Sequence, residues 1–400
     1  MGRQAIARPR VDAALGDAAL ALVASRLLVF VVAVVAVTIA SPDGGASAHG
    51  FDRPELTHPL GTVFAALARW DSTWYLGIAQ SGYAGRGDSV FFPLYPMLVR
   101  ALSPAGDAAG LLGMSYAVSL GALGGALYLL RKLAALDLGD EAARRAVLLL
   151  AFFPGALWLG VPYSESLFLL VSVGAVYAAR LGRWPWAGAC AALASATRSA
   201  GIVLVVPLTV TWWRARPRRR RDAAWIGLAP AGLAAWSGYL AAAHGDAFAY
   251  LHGQTVWFRS FAGPFGAVVD GARAAWDGLL QLASGSRAHV YFAPAGGDPF
   301  VAAAHNLELF AFLVFAAVAV VGVARRLRPE YGAYTIAALA LPLSFPVEPQ
   351  PLMSLPRFLA VLFPLFMWLA TRRGQRVVLA CFALLLAVFT ARYATWHWVA

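Results

Sequence analysis

Long apolar runs recur from one end of this chain to the other, and clusters of arginine separate them. Ala18–Ala40, Gly110–Leu130, Ala302–Ala324 and Val377–Tyr393 are stretches with hardly a charge. About twenty such residues are enough to cross the hydrocarbon core of a bilayer. Lipid offers no partner to backbone N–H and C=O groups, so a segment there must satisfy its own hydrogen bonds as a helix. Composition agrees. The chain is 60% apolar and only 13% charged, against about 25% charged in soluble domains. The pattern predicts an all-α, polytopic membrane bundle of about 10–11 segments, with residues 1–400 as a single integral domain.

The basic residues orient it. Arg3, Arg8 and Arg10 precede the first run, so the N-terminus is expected in the cytoplasm. Arg131, Lys132, Arg144, Arg145, Arg180, Arg183, Arg325, Arg326, Arg328, Arg372 and Arg373 then fall on the same side if the chain alternates. Two loops are left on the outer side, 41–110 and 244–300. The expected location is the plasma membrane. One stretch resists simple alternation. Trp184–Trp213 ends at Arg214, Arg216 and Arg218–Arg221, which a single crossing would place outside. It is read as two short helices broken near Thr197-Arg198-Ser199. A broken helix is tolerated at membrane depth where it lines a cavity. Topology accounts for the net charge of +12, and nucleic acid is not expected as a partner. Cys190 and Cys381 lie in apolar runs and give no disulfide framework.

The groups capable of chemistry gather in the outer loops. Trp70-Asp71-Ser72-Thr73-Trp74-Tyr75 sets one acid among aromatics. Two readings stand side by side: a partly desolvated general base with a raised pKa, or a helix cap within an aromatic belt. Phe91-Phe92-Pro93-Leu94-Tyr95-Pro96 has prolines three apart, which bars a regular helix through it. It reads as an interfacial turn in which Tyr95 could bond a ligand. In Pro162-Tyr163-Ser164-Glu165-Ser166, Glu165 suits the first turn of a helix and Ser164 can cap it. The functional reading is a polar cavity wall facing Asp71. Arg198 sits in an apolar stretch and either binds phosphate or pairs with a buried acid such as Glu165. Arg357 either binds phosphate or snorkels to headgroups. Gly121, Gly124 and Gly125 let helices approach closely. The histidines in the loops leave room for a divalent metal beside Asp71, but no spacing specifies one.

Taken in order, Arg69-Trp70-Asp71-Ser72-Thr73-Trp74-Tyr75, Gly82-Tyr83, Phe91–Pro96, Pro162–Phe168, Thr197-Arg198 and Pro356-Arg357-Phe358 resemble the PIG-V family of mannosyltransferases, the GPI mannosyltransferase II type, in its bacterial branch. That family resembles the wider GT-C glycosyltransferases. The resemblance implies a polyprenyl-phosphate sugar donor and inverting transfer of mannose on the extracytoplasmic face. The acceptor would be lipid-linked or part of the cell envelope. Asp71 would be the catalytic base, and Arg198 and Arg357 would hold the donor phosphate. Trp70, Trp74, Tyr75, Tyr95, Tyr163 and Glu165 would line the substrate cavity. Some GT-C enzymes carry a second acid two residues after the first; here Thr73 stands there, so a metal is not implied. A lipid or sugar transporter and a non-catalytic subunit of a glycosylation complex are the rival readings, though no paired halves mark a transporter.

Overall fold

A computed structural model describes residues 12–40, 53–85, 87–292, 297–347 and 350–399. Arg3, Arg8, Arg10, His49 and part of the first loop lie outside the described residues. Among the described residues the chain is helical throughout, with no strand and one isolated antiparallel bridge, Arg259 to Val347.

Four helices are long and apolar enough to cross a membrane: Ala13–Ile39, Ala108–Leu138, Pro299–Arg326 and Gln375–Ala394. The pair Arg220–Ile226 and Ala231–His244, bent by 40°, is either a fifth, broken crossing or a re-entrant loop. The protein is thus a multi-pass, all-α membrane protein, but fewer of its crossings are continuous than the 10–11 runs in the sequence suggest. The remaining runs are short or broken. The run at 146–161 is helical only to Phe152 and then turns into a 3-10 segment, Pro154–Leu159. The run at 356–370 breaks into Leu355–Ala360 and Phe363–Leu369. Hydropathy reports composition, and it does not see where Pro154 or Pro364 interrupts the hydrogen-bond ladder.

The breaks occur where backbones meet. A Cβ on Gly155 would collide with the carbonyl of Pro356, so only glycine lets the 3-10 segment lie against Leu355–Ala360. A Cβ on Gly201 would strike the backbone of Ala194 and Ser195. That close turn folds Ser199–Leu204 back onto the helix Trp184–Thr197, and the break falls at Arg198. Helix association in lipid depends on such packing, because apolar burial gives little drive there. Gly124 and Gly125 do face Leu22 and Leu170, whereas Gly121 meets open space.

The described parts of loops 41–110 and 244–300 are structured. The first carries helices Asp71–Ser81 and Leu94–Leu102. The two prolines do not prevent the second of these. The helix begins at Leu94, so Pro96 falls in the first turn, where its missing N–H has no acceptor to lose. The second loop contains Gly266–Ser284, which packs along Pro299–Arg326.

Candidate active site

Asp71, Glu165 and Arg357 sit at the same end of the helices, joined by charge. Asp71 is the first residue of its helix and does not cap it; its carboxylate turns to Arg357, Nη1 to Oδ2 at 2.5 Å. Arg357 Nε also donates to Glu165 Oε1, and Arg198 Nη1 donates to that same oxygen. The chain Asp71–Arg357–Glu165–Arg198 therefore joins four residues that lie up to 286 positions apart. Arg198 and Glu165 form the ion pair that was one of the two readings of Arg198. Ser164 makes no cap hydrogen bond. Its hydroxyl bonds Tyr75 Oη at 2.8 Å and accepts from Arg198 at 3.4 Å.

Exposure separates the two acids. The Glu165 side chain is 1% exposed and that of Asp71 is 19%. Glu165 is thus sealed behind the arginines, and its Oε2 meets no hydrogen-bond donor among the described residues. Asp71 faces a narrow cavity of about 20 Å³. Trp70, Trp158, Tyr163, Ser354, Arg357, Tyr393, Trp398 and Val399 form the rest of its wall. About 10–15 Å³ is enough for one water, so in this conformation the cavity holds about one water and must widen to admit a sugar ring.

The peptide before Asp71 is held under strain. Trp70 has φ +56°, ψ −122°, an outlier for a bulky residue. Two tyrosines hold the segment. Tyr163 Oη accepts from the Asp71 N–H at 3.1 Å and donates to the Arg69 carbonyl at 3.2 Å. Tyr393 Oη donates to the same carbonyl at 2.8 Å and accepts from the Arg69 N–H at 3.2 Å. Trp396 and Trp398 pack edge-on against the Trp70 ring, with centroids at 5.4 and 4.7 Å. Four of the five non-glycine residues with positive φ among those described (Trp70, Phe258, Ser354 and Trp396) stand beside this cluster.

Not every residue singled out in the sequence reaches the cavity. Trp70, Asp71, Tyr163 and Arg357 line it, and Glu165 and Arg198 lie behind. Tyr75 joins through Ser164. Burial, with Glu165 nearby, pushes its phenol up to about 12, so it stays protonated at any physiological pH. Trp74 and Tyr95 are elsewhere. Trp74 stacks on Phe91 at 5.7 Å and meets Trp257 edge-on. Tyr95 is fully buried, with its hydroxyl on the Ser115 carbonyl and Ser119 Oγ, which leaves it nothing to offer a ligand. Tyr393, Trp398, Trp158 and Ser354 escaped the sequence reading. Their only signal was position: each ends or breaks an apolar run. No three His, Cys, Asp or Glu side chains converge among the described residues, and Arg357 bridges the two carboxylates here. The residues present do not make a metal cradle.

Part of this chain resembles known proteins. The family described as mannosyltransferase (PIG-V) matches residues 20–212, just under half of the chain. That region holds Asp71, Glu165 and Arg198 but not Arg357. GPI alpha-1,6-mannosyltransferase 2 of Rattus norvegicus is 32% identical over 180 residues, 41% of this chain and 36% of the relative. The human protein of that name is 29% identical over 174 residues, 40% of this chain and 35% of the relative. The similarity thus spans about a third of the length of these relatives. Residues 20–212 of this multi-pass membrane protein resemble the PIG-V mannosyltransferases.

Proposed function

We propose that this protein is a membrane glycosyltransferase that moves mannose from a polyprenyl-phosphate donor to an envelope or lipid-linked acceptor on the extracytoplasmic face. The observation that carries the reading is one partly exposed carboxylate, Asp71, at a cavity wall, tied to a buried guanidinium network. A lipid-phosphate donor brings its own leaving group and its own membrane anchor. It needs no nucleotide-binding domain, only a base, a cation and a groove between helices.

Asp71 takes the proton of the acceptor hydroxyl as that oxygen attacks the anomeric carbon. The bond from that carbon to the phosphate oxygen breaks, and its electron pair leaves with the phosphate. Guanidiniums stabilise the charge that develops there. Only one carboxylate faces the cavity, because Glu165 is enclosed and shared by two arginines. A covalent sugar intermediate would need a second carboxylate close at hand, so a single inverting displacement fits better. Tyr163 and Tyr393 fix the backbone before Asp71 and so aim the base.

The test is transfer itself. Purified protein in lipid nanodiscs receives polyprenyl-phosphate mannose labelled in the sugar, with membrane lipid extract as acceptor. The expected result is label on a new product, with the anomeric configuration inverted. Label that stays on its donor lipid while crossing the bilayer would mark a transporter instead.

A further inference from the structure

The second outer loop brings a third guanidinium to this cluster. Arg259 belongs to no motif noted above and lies outside residues 20–212. Main chain fixes its place. It bridges to Val347; its Nη1 donates to the Phe345 carbonyl at 3.1 Å and its Nη2 to the Met353 carbonyl at 3.3 Å. Met353 precedes Ser354, which lines the cavity. Phe258, just before Arg259, is held at φ +57°, a conformation costly for a bulky residue. The Arg259 guanidinium lies 5.7 Å from the Phe358 ring centroid, and that of Arg198 lies 6.0 Å from the same ring. The two cations thus share one phenyl ring as a neighbour.

Arg259 differs from its neighbours in one respect. Arg198 and Arg357 are paired with acids, whereas Arg259 makes no ion pair among the described residues. A guanidinium has five N–H donors, and the two carbonyls occupy two of them. The residue as a whole is half-buried, and three N–H groups remain beyond those two. Burial, with Arg357 nearby, lowers its pKa to about 10, which leaves it a cation at neutral pH. Among the described residues, the cluster sets three guanidiniums, Arg198, Arg259 and Arg357, beside two carboxylates, Asp71 and Glu165. A phosphodiester carries a single negative charge that complements this set, and its paired oxygens match a guanidinium fork.

We infer that Arg259 is the main contact for the phosphate of the lipid-linked donor, with Arg198 across the Phe358 ring as its second, while Arg357 chiefly holds Asp71. This rests on the donor class proposed above. The anchoring of Arg259 by main-chain carbonyls suits that role: the cation is held in place without being neutralised.

The experiment measures binding of a polyprenyl monophosphate and of the matching polyprenol, which lacks the phosphate, to the full-length protein in nanodiscs. The wild type is expected to prefer the monophosphate. Arg259→Gln should weaken monophosphate binding by about 10- to 100-fold, the worth of a charged hydrogen bond, and leave polyprenol binding unchanged. Arg259→Lys keeps the charge but loses the fork, and should fall between. A second readout uses the unaltered protein: the monophosphate should protect Arg259 from phenylglyoxal, mapped by peptide mass, and the polyprenol should not. A wild type that prefers the monophosphate, with Arg259→Gln binding it equally well or Arg259 left unprotected, overturns the inference alone. A wild type that cannot tell the two lipids apart removes the donor class, and the inference with it.

Discussion

Two ion-pair networks occupy opposite ends of the long helices, and they are built differently. At the end away from the cavity, each acid finds a base. Asp137 takes Arg180 through both oxygens, at 2.5 and 2.8 Å, and Tyr331 donates to it at 2.6 Å. Arg328 bonds Glu330 at 2.7 Å, and Arg131 joins Asp17 and Asp140 at 2.8 and 3.0 Å. None of the positive-φ non-glycine residues lies there. At the cavity end, as at Glu330, two arginines reach one oxygen of a buried glutamate, but a third arginine, Arg259, has only carbonyls among the described residues, and the backbone nearby is strained. The first network ties helix ends together. The second keeps charge and strain unresolved where a ligand can use them, as functional sites commonly do.

Substitutions can break or sharpen this contrast. The largest effect on stability is expected for Glu165→Ala, which leaves two buried guanidiniums sharing one remaining carboxylate. Removing one partner from a buried network costs about 3–5 kcal/mol, visible as a sharp fall in thermal unfolding temperature. Asp137→Ala should cost about as much by the same physics. The two should separate in detergent-stable fractions: the Asp137 variant retains ligand binding at the cavity end and the Glu165 variant loses it. Equal loss of binding in both would erase the distinction between the ends.

Smaller effects follow at Tyr393. Tyr393→Phe removes the hydroxyl that bonds both groups of the Arg69 peptide unit, at about 1 kcal/mol per hydrogen bond. Turnover should fall while donor affinity holds, since the loss misaims Asp71 and leaves the cations in place. A change in affinity with turnover intact would place Tyr393 in donor binding instead. Least of all should come from Arg145→Ala. Its pair with Glu141 is exposed, and such i,i+4 pairs contribute about 0.3–0.5 kcal/mol. Neither unfolding temperature nor turnover should move measurably.

The sequence disclosed the ends of this account better than its middle. Trp70-Asp71 stood out because it set an acid among aromatics, and the Arg198–Glu165 pair was one of two readings offered for Arg198. The second partner of Arg357 was hidden, since nothing in a linear pattern joins positions 71 and 357. Arg259 was hidden for another reason: an arginine in a long loop looks solvated, and only the fold places it against Phe358. Tyr393, Trp396 and Trp398 drew no reading of their own, because nothing in a linear pattern sets them against Trp70. The short crossings were misjudged because apolar composition persists through Pro154–Leu159 and Val361–Leu362, where the helices break.

The most direct measurement concerns Asp71. Asp71→Asn keeps the side-chain size and can still accept a hydrogen bond from Arg357, which also retains Glu165. Transfer of labelled mannose and binding of the polyprenyl monophosphate are measured on the same preparation. Transfer should fall by about 10²–10⁴-fold, the usual worth of a general base, while monophosphate binding and unfolding temperature stay near wild type. An Asn variant that still transfers mannose at a near-normal rate would contradict the role of Asp71 as base, and with it the reading of this cluster as a catalytic site.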